Sequence, residues 1–227
     1  MREIVLDTET TGLDPGSGHR VVEIGCVELI NHVRTGNYFH TYLNPERDMP
    51  PEAEQVHGLS FEFLKDKPSF PGIAGSFIEF IGDSPLVIHN AAFDLKFLNA
   101  ELDRHGHPLI HPERGIDTVL LARQKFPGQP ASLDALCRRF SIDLTARTKH
   151  GALLDAELLA EVYLELRGGR QSVFSLATAA ACAASDINFS GHTDIPRREF
   201  PPSLEELAAH EVMLDKLKDP LWKALAS

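Results

Sequence analysis

The stretch EIVLDTETTGL, residues 3–13, carries most of the fold prediction. Its first half is rich in branched apolar residues, which is typical of a buried strand, and its second half turns polar. Two similar runs follow, VVEIGCVELI at 21–30 and YFHTYL at 38–43, and turn-forming residues occupy 14–18. Three short strands in succession, separated by turns, predict an antiparallel meander.

Downstream of these strands the pattern alternates between helices and short strands. Helical spacing is found at 73–81, at 91–105 after the expected N-cap Asn90, at 132–140 after the expected N-cap Ser132, and at 152–166. Short strands are expected at 85–89 and 115–119. Strand runs followed by such alternation predict one mixed α/β (α+β) domain over about residues 1–169.

The composition changes after this domain. Residues 177–195 contain no Lys or Arg and begin with the monotonous run ATAAACAAS, which is typical of a linker. Residues 196–227 resume an apolar helical period, but a segment of about thirty residues cannot build much of a core alone. We therefore expect this helical tail to dock on the main domain or on a partner.

The net charge limits the possible functions. The 22 basic residues stand against 33 acidic ones, which gives −11. This argues against a protein that coats nucleic acid non-specifically, because such proteins present basic surfaces. The three cysteines form no C-x-x-C pair, and the N-terminus does not resemble a signal peptide. No apolar run reaches membrane-spanning length, so we expect a cytoplasmic protein without a membrane partner.

Four acids stand at the edges of predicted elements without basic sequence neighbours. Asp7 and Glu9 lie two apart in the first strand, so both should project from one face. Asp94 falls in the first turn of its helix, and Asp155 lies beside an apolar stripe five residues after His150. Convergence of these groups would create hard oxygen ligands for Mg²⁺ or Mn²⁺, and no Cys/His cluster favours zinc.

Each of these residues, taken alone, also has an ordinary structural explanation. A strand end such as that of Asp7 and Glu9 can simply be solvated. A first-turn acid such as Asp94 is stabilised by the helix dipole, and a histidine such as His150 before a helix is often a cap or surface residue. The interpretation as a site therefore depends on the set rather than on any one member.

Four motifs together resemble a known family. They are DTETTGL (7–13), HNAAFDLKFLNAEL (89–102), SLDALCRRF (132–140) and RTKHGALLDAELLAEVYL (147–164). In this order they are similar to the DEDD superfamily of 3′–5′ exonucleases in its His-containing branch, and most similar to the proofreading subunits of bacterial replicative DNA polymerases. The resemblance implies a ribonuclease H-like fold, with a mixed sheet flanked by helices.

The resemblance also implies roles for the five residues. Asp7, Glu9, Asp94 and Asp155 match the four acids that bind two divalent ions, Mg²⁺ or Mn²⁺, and His150 matches the general base. The implied reaction is two-metal hydrolysis of a mispaired 3′-terminal nucleotide, which releases a deoxynucleoside 5′-monophosphate. The implied substrate is the single-stranded 3′ end of DNA. Further residues match the family's substrate pocket: Thr10, Thr11, Gly12 and Leu13, with Leu13 as a wedge between bases, and more weakly His57, Asn90 and Phe93.

The segment after the nuclease domain is similar to short peptides that bind the bacterial sliding clamp. In QSVFSL, residues 171–176, Gln171, Phe174 and Leu176 take the first, fourth and sixth positions, although the usual order of aliphatic and aromatic residues is reversed. The same apolar residues could instead pack the end of the preceding helix. The resemblance further implies that the tail, 196–227, anchors the chain to the catalytic subunit of the polymerase in the replisome.

Two alternatives remain at this level. One is a related DEDD exoribonuclease, similar to oligoribonuclease or RNase T. The other is an inactive scaffold that bridges the polymerase and the clamp, which the complete set of five residues disfavours.

Overall fold

The computed structural model describes residues 1–145, 147, 149–169 and 201–217. They fall into two units, one within Met1–Phe174 and one within Ser175–Ser227. The first unit is a mixed α/β domain with five strands: β1 Arg2–Thr10, β2 Val21–Ile30, β3 Val33–Tyr42, β4 Leu86–Ile88 and β5 Gly115–Asp117. Its helices are α1 Pro51–His57, α2 Phe61–Leu64, α3 Phe70–Ile81, α4 Ala91–Arg104, α5 Thr118–Lys125, α6 Leu133–Phe140 and α7 Ala152–Leu166, with short 3-10 turns at Pro15–Ser17 and Pro112–Arg114.

The sheet confirms the predicted meander. Its strand order is β3-β2-β1-β4-β5, with β1 antiparallel to β2 and parallel to β4. Strand β3 begins five residues earlier than predicted. Asn31 and His32 have φ angles of 52° and 66° and join Ile30 to Val33 across a two-residue turn. Such turns need positive φ at both central residues, which Asn tolerates well.

The sheet separates two apolar clusters. Side chains alternate along β1, so successive residues of this strand enter opposite clusters. Ile4 and Leu6 pack with α3 and α4, whereas Val5 packs with α5, α6 and α7, where Tyr163 is fully buried. Because side chains alternate along a strand, Thr8 follows Leu6 to the α4 side. Asp7 and Glu9 follow Val5 to the α7 side.

Of the two predicted N-cap residues, Ser132 caps its helix through its side chain and Asn90 does not. The Ser132 hydroxyl accepts a hydrogen bond from the Ala135 amide, as an N-cap does. Asn90 has φ 71° and makes no side-chain cap bond. Asp117 replaces it, because its carboxylate accepts from the amides of Asn90 and Ala91 at 3.3 Å. Asn90 therefore occupies the predicted N-cap position, but the prediction that its side chain caps the helix was wrong.

The second unit contains one helix within its described residues, α8 Leu204–Asp215. It begins with a capping box in which the Ser203 hydroxyl accepts from the Glu206 amide and the Glu206 carboxylate accepts from the Ser203 amide. Leu204 and Val212 are exposed, and Leu214 is buried. In the described part of the chain, none of the helices is long and apolar enough to cross a membrane.

Candidate active site

The first structural feature of the site is the convergence of Asp7, Glu9 and Asp155 on the α7 side of β1. Asp155 stands in the first turn of α7 and is 3% exposed. Ligand atoms of Glu9, Asp155 and His150 lie within 4.8 Å of one another. Asp7, Asp155 and His150 also line one cavity of about 280 Å³. The five residues selected from the sequence therefore include four that meet here.

Asp94 reaches the same place from the other side of the sheet. Both the amide and the hydroxyl of Thr8 donate to its Oδ1, at 3.0 Å and 2.7 Å. This contact follows from the period of β1, which points Thr8 toward α4 while Asp7 and Glu9 point toward α7. Asp94 is 3% exposed and interacts electrostatically with Asp7. All four carboxylates therefore surround the end of one strand.

Burial and mutual repulsion make Asp7, Glu9 and Asp94 hard to ionise. Burial, followed by the neighbouring acids, raises the pKa of Asp7 well above its ordinary value. Burial and then the charge of Asp155 raise the pKa of Glu9 to about 8. Burial raises the pKa of Asp94 to about 7, although its hydrogen bonds from Thr8 act in the opposite direction. Such a group of acids is suited to a bound cation.

A guanidinium already lies against this group. Arg147 donates from Nε and Nη2 to the two carboxylate oxygens of Asp155, both at 2.6 Å. Its Nη1 donates to Asp134, and its Nη2 lies 2.8 Å from Nδ1 of His150. The sequence argument missed Arg147 and Asp134, because it considered only the basic neighbours along the chain. The nearest signal was the position of Arg147 inside the motif RTKH.

The donor set fits a divalent cation. Four carboxylates and one imidazole supply mostly hard oxygen ligands, which suit Mg²⁺ or Mn²⁺ better than a thiophilic metal. The raised pKa values of Asp7, Glu9 and Asp94 support the same conclusion. They show that the protein alone stabilises the ionised forms of these carboxylates poorly, which a bound cation would correct.

A second cavity, of about 580 Å³, opens beside Glu9. It contains six of the seven predicted pocket residues: Thr10, Thr11, Gly12, Leu13, His57 and Phe93. Leu13 is 83% exposed at this site, whereas Thr11 is fully buried and its hydroxyl lies 3.1 Å from Nδ1 of His19. The seventh residue, Asn90, is exposed at the start of α4 and is not among the residues that line either cavity.

His57 lines this cavity with a buried imidazole ring. It is 5% exposed, and its Nδ1 accepts a hydrogen bond from the Leu59 amide at 3.0 Å. The ring proton is therefore on Nε2, which has no hydrogen-bond partner within the described residues. Burial lowers the pKa of His57, which favours this neutral form. The clamp-peptide residues Gln171, Phe174 and Leu176 and the linker at 177–195 lie outside the described residues.

Comparison with known proteins places the chain in a family. The family model described as "Exonuclease" matches residues 4–163. DNA polymerase III subunit epsilon of Rickettsia conorii is 53% identical over 224 residues, 96% of each chain. The epsilon subunit of Escherichia coli K12 is 43% identical over 242 residues, 98% of each chain. These full-length similarities favour a polymerase subunit over the exoribonuclease alternative.

Solved structures agree in fold. Exonuclease X in complex with 5′ overhanging duplex DNA superposes with a TM-score of 0.56 at 26% identity, covering 72% of this chain and 90% of that one. The nuclease domain of 3′hExo, described as a DEDDh family member bound to rAMP, gives 0.61 at 18% identity, covering 75% and 94%. The predicted ribonuclease H-like fold is confirmed. The chain belongs to the exonuclease family and, within it, to the DNA polymerase III epsilon subunits.

Proposed function

We propose that this chain is the proofreading subunit of a bacterial replicative polymerase and removes mispaired 3′-terminal deoxynucleotides by metal-dependent hydrolysis. The observation that supports this proposal most directly is the meeting of Asp7, Glu9, Asp94 and Asp155 beside a cavity of about 580 Å³. A cavity of this size holds a nucleotide, and Glu9 lines it, whereas Asp7 and Asp155 line the cavity of about 280 Å³.

The four acids would hold two divalent ions, Mg²⁺ or Mn²⁺. When bound, these ions would polarise the attacking water and offset the charge on the scissile phosphate. Thr8 fixes the orientation of Asp94 by its two hydrogen bonds, and the start of α7 fixes Asp155. His150, whose side chain is 50% exposed, would act as the general base toward the attacking water.

The larger cavity would hold the terminal nucleotide. Leu13, exposed at the rim, is suited to insert beside the last base. His57 lines this cavity with a buried ring Nε2, and the ring of Phe93 offers an apolar wall. A pocket for one unstacked nucleotide selects mispaired ends, because a mispaired terminus costs less to unpair.

Partner contacts would come from the tail. The names of the relatives indicate association with DNA polymerase III. We assign this association to binding of the catalytic (alpha) subunit by residues 196–227. The exposed apolar side chains Leu204, Leu207, Val212 and Met213 of α8 fit a helix that docks in a groove. Residues 171–176 would bind the sliding clamp (beta). Deletion of 196–227 is expected to abolish capture of the polymerase subunit and to leave nuclease activity on short primers unchanged.

The test of the catalytic assignment is digestion of a labelled primer with a mispaired 3′ end in Mg²⁺ or Mn²⁺. Asp7→Asn and His150→Ala should each reduce turnover at neutral pH by at least about 10²-fold while the melting temperature changes little. His107→Ala, a histidine in the loop after α4 that lines neither cavity, is the matched control. Unaltered turnover in His150→Ala would overturn its assignment as the base. Equal rates on an RNA end would overturn the DNA assignment.

A further inference from the structure

Arg147 contacts three residues of the candidate site through its guanidinium. Its side chain is 9% exposed and holds both oxygens of Asp155 at 2.6 Å. The remaining edge of the guanidinium meets Asp134, whose side chain is 45% exposed. An arginine fork that spans two carboxylates in this way is a fixed, directional contact. Arg147 is therefore a built part of the site rather than a solvated side chain.

The charge of Arg147 is placed where the site needs a cation. Among the ion pairs of residues 1–145, 147 and 149–169, Arg147 is the only lysine or arginine that pairs with one of the four acids. A carboxylate as buried as that of Asp155 is costly without a compensating charge. The guanidinium thus supplies, in the metal-free protein, part of the positive charge that a divalent ion would supply.

Arg147 also contacts the predicted base. Its Nη2 lies 2.8 Å from Nδ1 of His150, and the same Nδ1 lies 3.3 Å from Oδ2 of Asp155. One guanidinium therefore holds the positions of both Asp155 and His150.

We infer that Arg147 is a positioning residue that takes the place of the metal on Asp155 and must leave this carboxylate when the metal binds. This inference rests on the proposed function of the acid cluster. A divalent ion and a guanidinium on the same carboxylate repel each other, so metal binding displaces Arg147 from Asp155. Asp134, exposed and already in contact, is the carboxylate to which it withdraws.

The test measures Mn²⁺ binding directly, by calorimetry or by the electron paramagnetic resonance signal of free Mn²⁺, without substrate. Arg147→Gln removes the competing charge and should tighten Mn²⁺ binding about tenfold or more, within the usual range of coupling between two ligands. Its metal-free form should melt below the wild type, because Asp155 is left buried and unpaired. Saturating Mn²⁺ should narrow that difference. Lys149→Gln, which removes one charge from the same loop, is the control and should change binding less than twofold.

Two further outcomes keep the inference testable. If Arg147→Gln does not fold, Arg147→Lys keeps the charge but cannot hold both oxygens of Asp155, and it should still bind Mn²⁺ more tightly than the wild type. Unchanged or weaker Mn²⁺ binding in a folded variant would overturn the inference while leaving the nuclease assignment intact. A wild-type protein that neither binds Mn²⁺ nor cleaves DNA would overturn the proposed function itself, and with it this inference.

Discussion

Replacement of Gly25 by alanine tests how closely the metal ligands depend on the packing of α7. Gly25 pairs with Asp7 across β1 and β2, and the first turn of α7 lies directly over it. A Cβ at Gly25 would lie 2.3 Å from the backbone carbon of Ala152 and from the backbone nitrogen of Leu153. Ordinary contacts begin near 3.4 Å, so the helix start must move by about 1 Å. Backbone cannot rotate away as a flexible side chain can.

This displacement falls on the catalytic groups. Asp155 lies three residues after Ala152, and His150 lies two residues before it. A misplacement of about 1 Å can cost about 10²-fold in rate, and overpacking costs about 1–3 kcal/mol of stability. We therefore expect Gly25→Ala to lower turnover on a mispaired primer about 10²-fold and to weaken Mn²⁺ binding. In relative terms, the loss of folding stability should be smaller than the loss of activity.

The assay compares primer digestion, Mn²⁺ binding and thermal unfolding at a temperature where circular dichroism shows both proteins folded. Gly75→Ala is the matched control, because Gly75 lies exposed in α3 and a Cβ there meets no heavy atom within 4 Å. It should stabilise the helix by up to about 1 kcal/mol and leave turnover unchanged. A folded Gly25→Ala protein with wild-type turnover and Mn²⁺ affinity would refute the argument that this contact positions the site.

Three other predictions concern the site. Thr8→Val keeps the shape of the side chain but removes the hydroxyl that donates to Asp94. It should weaken Mn²⁺ binding about tenfold in a calorimetric titration, and unchanged affinity would contradict the role of this hydrogen bond. Leu13→Ala should raise KM for a mispaired primer about tenfold in steady-state kinetics, with stability within about 0.5 kcal/mol because the side chain is exposed; an unaltered KM would exclude the wedge. Burial raises the pKa of Glu9 from 4.5 to about 8, so the folded metal-free protein binds more protons than the unfolded chain and loses stability as pH rises from about 4.5 to about 8. Thermal melts should show this slope in the wild type and a weaker one in Glu9→Gln, and equal slopes would refute the assignment.

The elements that the sequence predicted well are those with a strong period or a clear cap. The period of two in β1 placed Asp7 and Glu9 on one face, and α7 was predicted with its observed bounds. Helices α1, α2 and α5 were missed. Helix α1 has seven residues and begins at a pair of prolines, α2 has four residues, and α5 has little separation of apolar and polar faces, so none gives a periodic signal.

The sequence by itself therefore determined which chemical groups are available. They are four acids and a histidine at the edges of predicted elements, and the order of the motifs that contain them resembles one family. Only the tertiary structure decided how these groups act on one another. The bond from Thr8 to Asp94 joins residues 86 apart in the chain, and the close approach of α7 to Gly25 joins a helix and a strand that are still more remote in sequence. The raised pKa of Glu9 and the hold of Arg147 on Asp155 have the same origin. Burial and contact depend on how sheet and helices pack, and no local pattern along the chain encodes that packing.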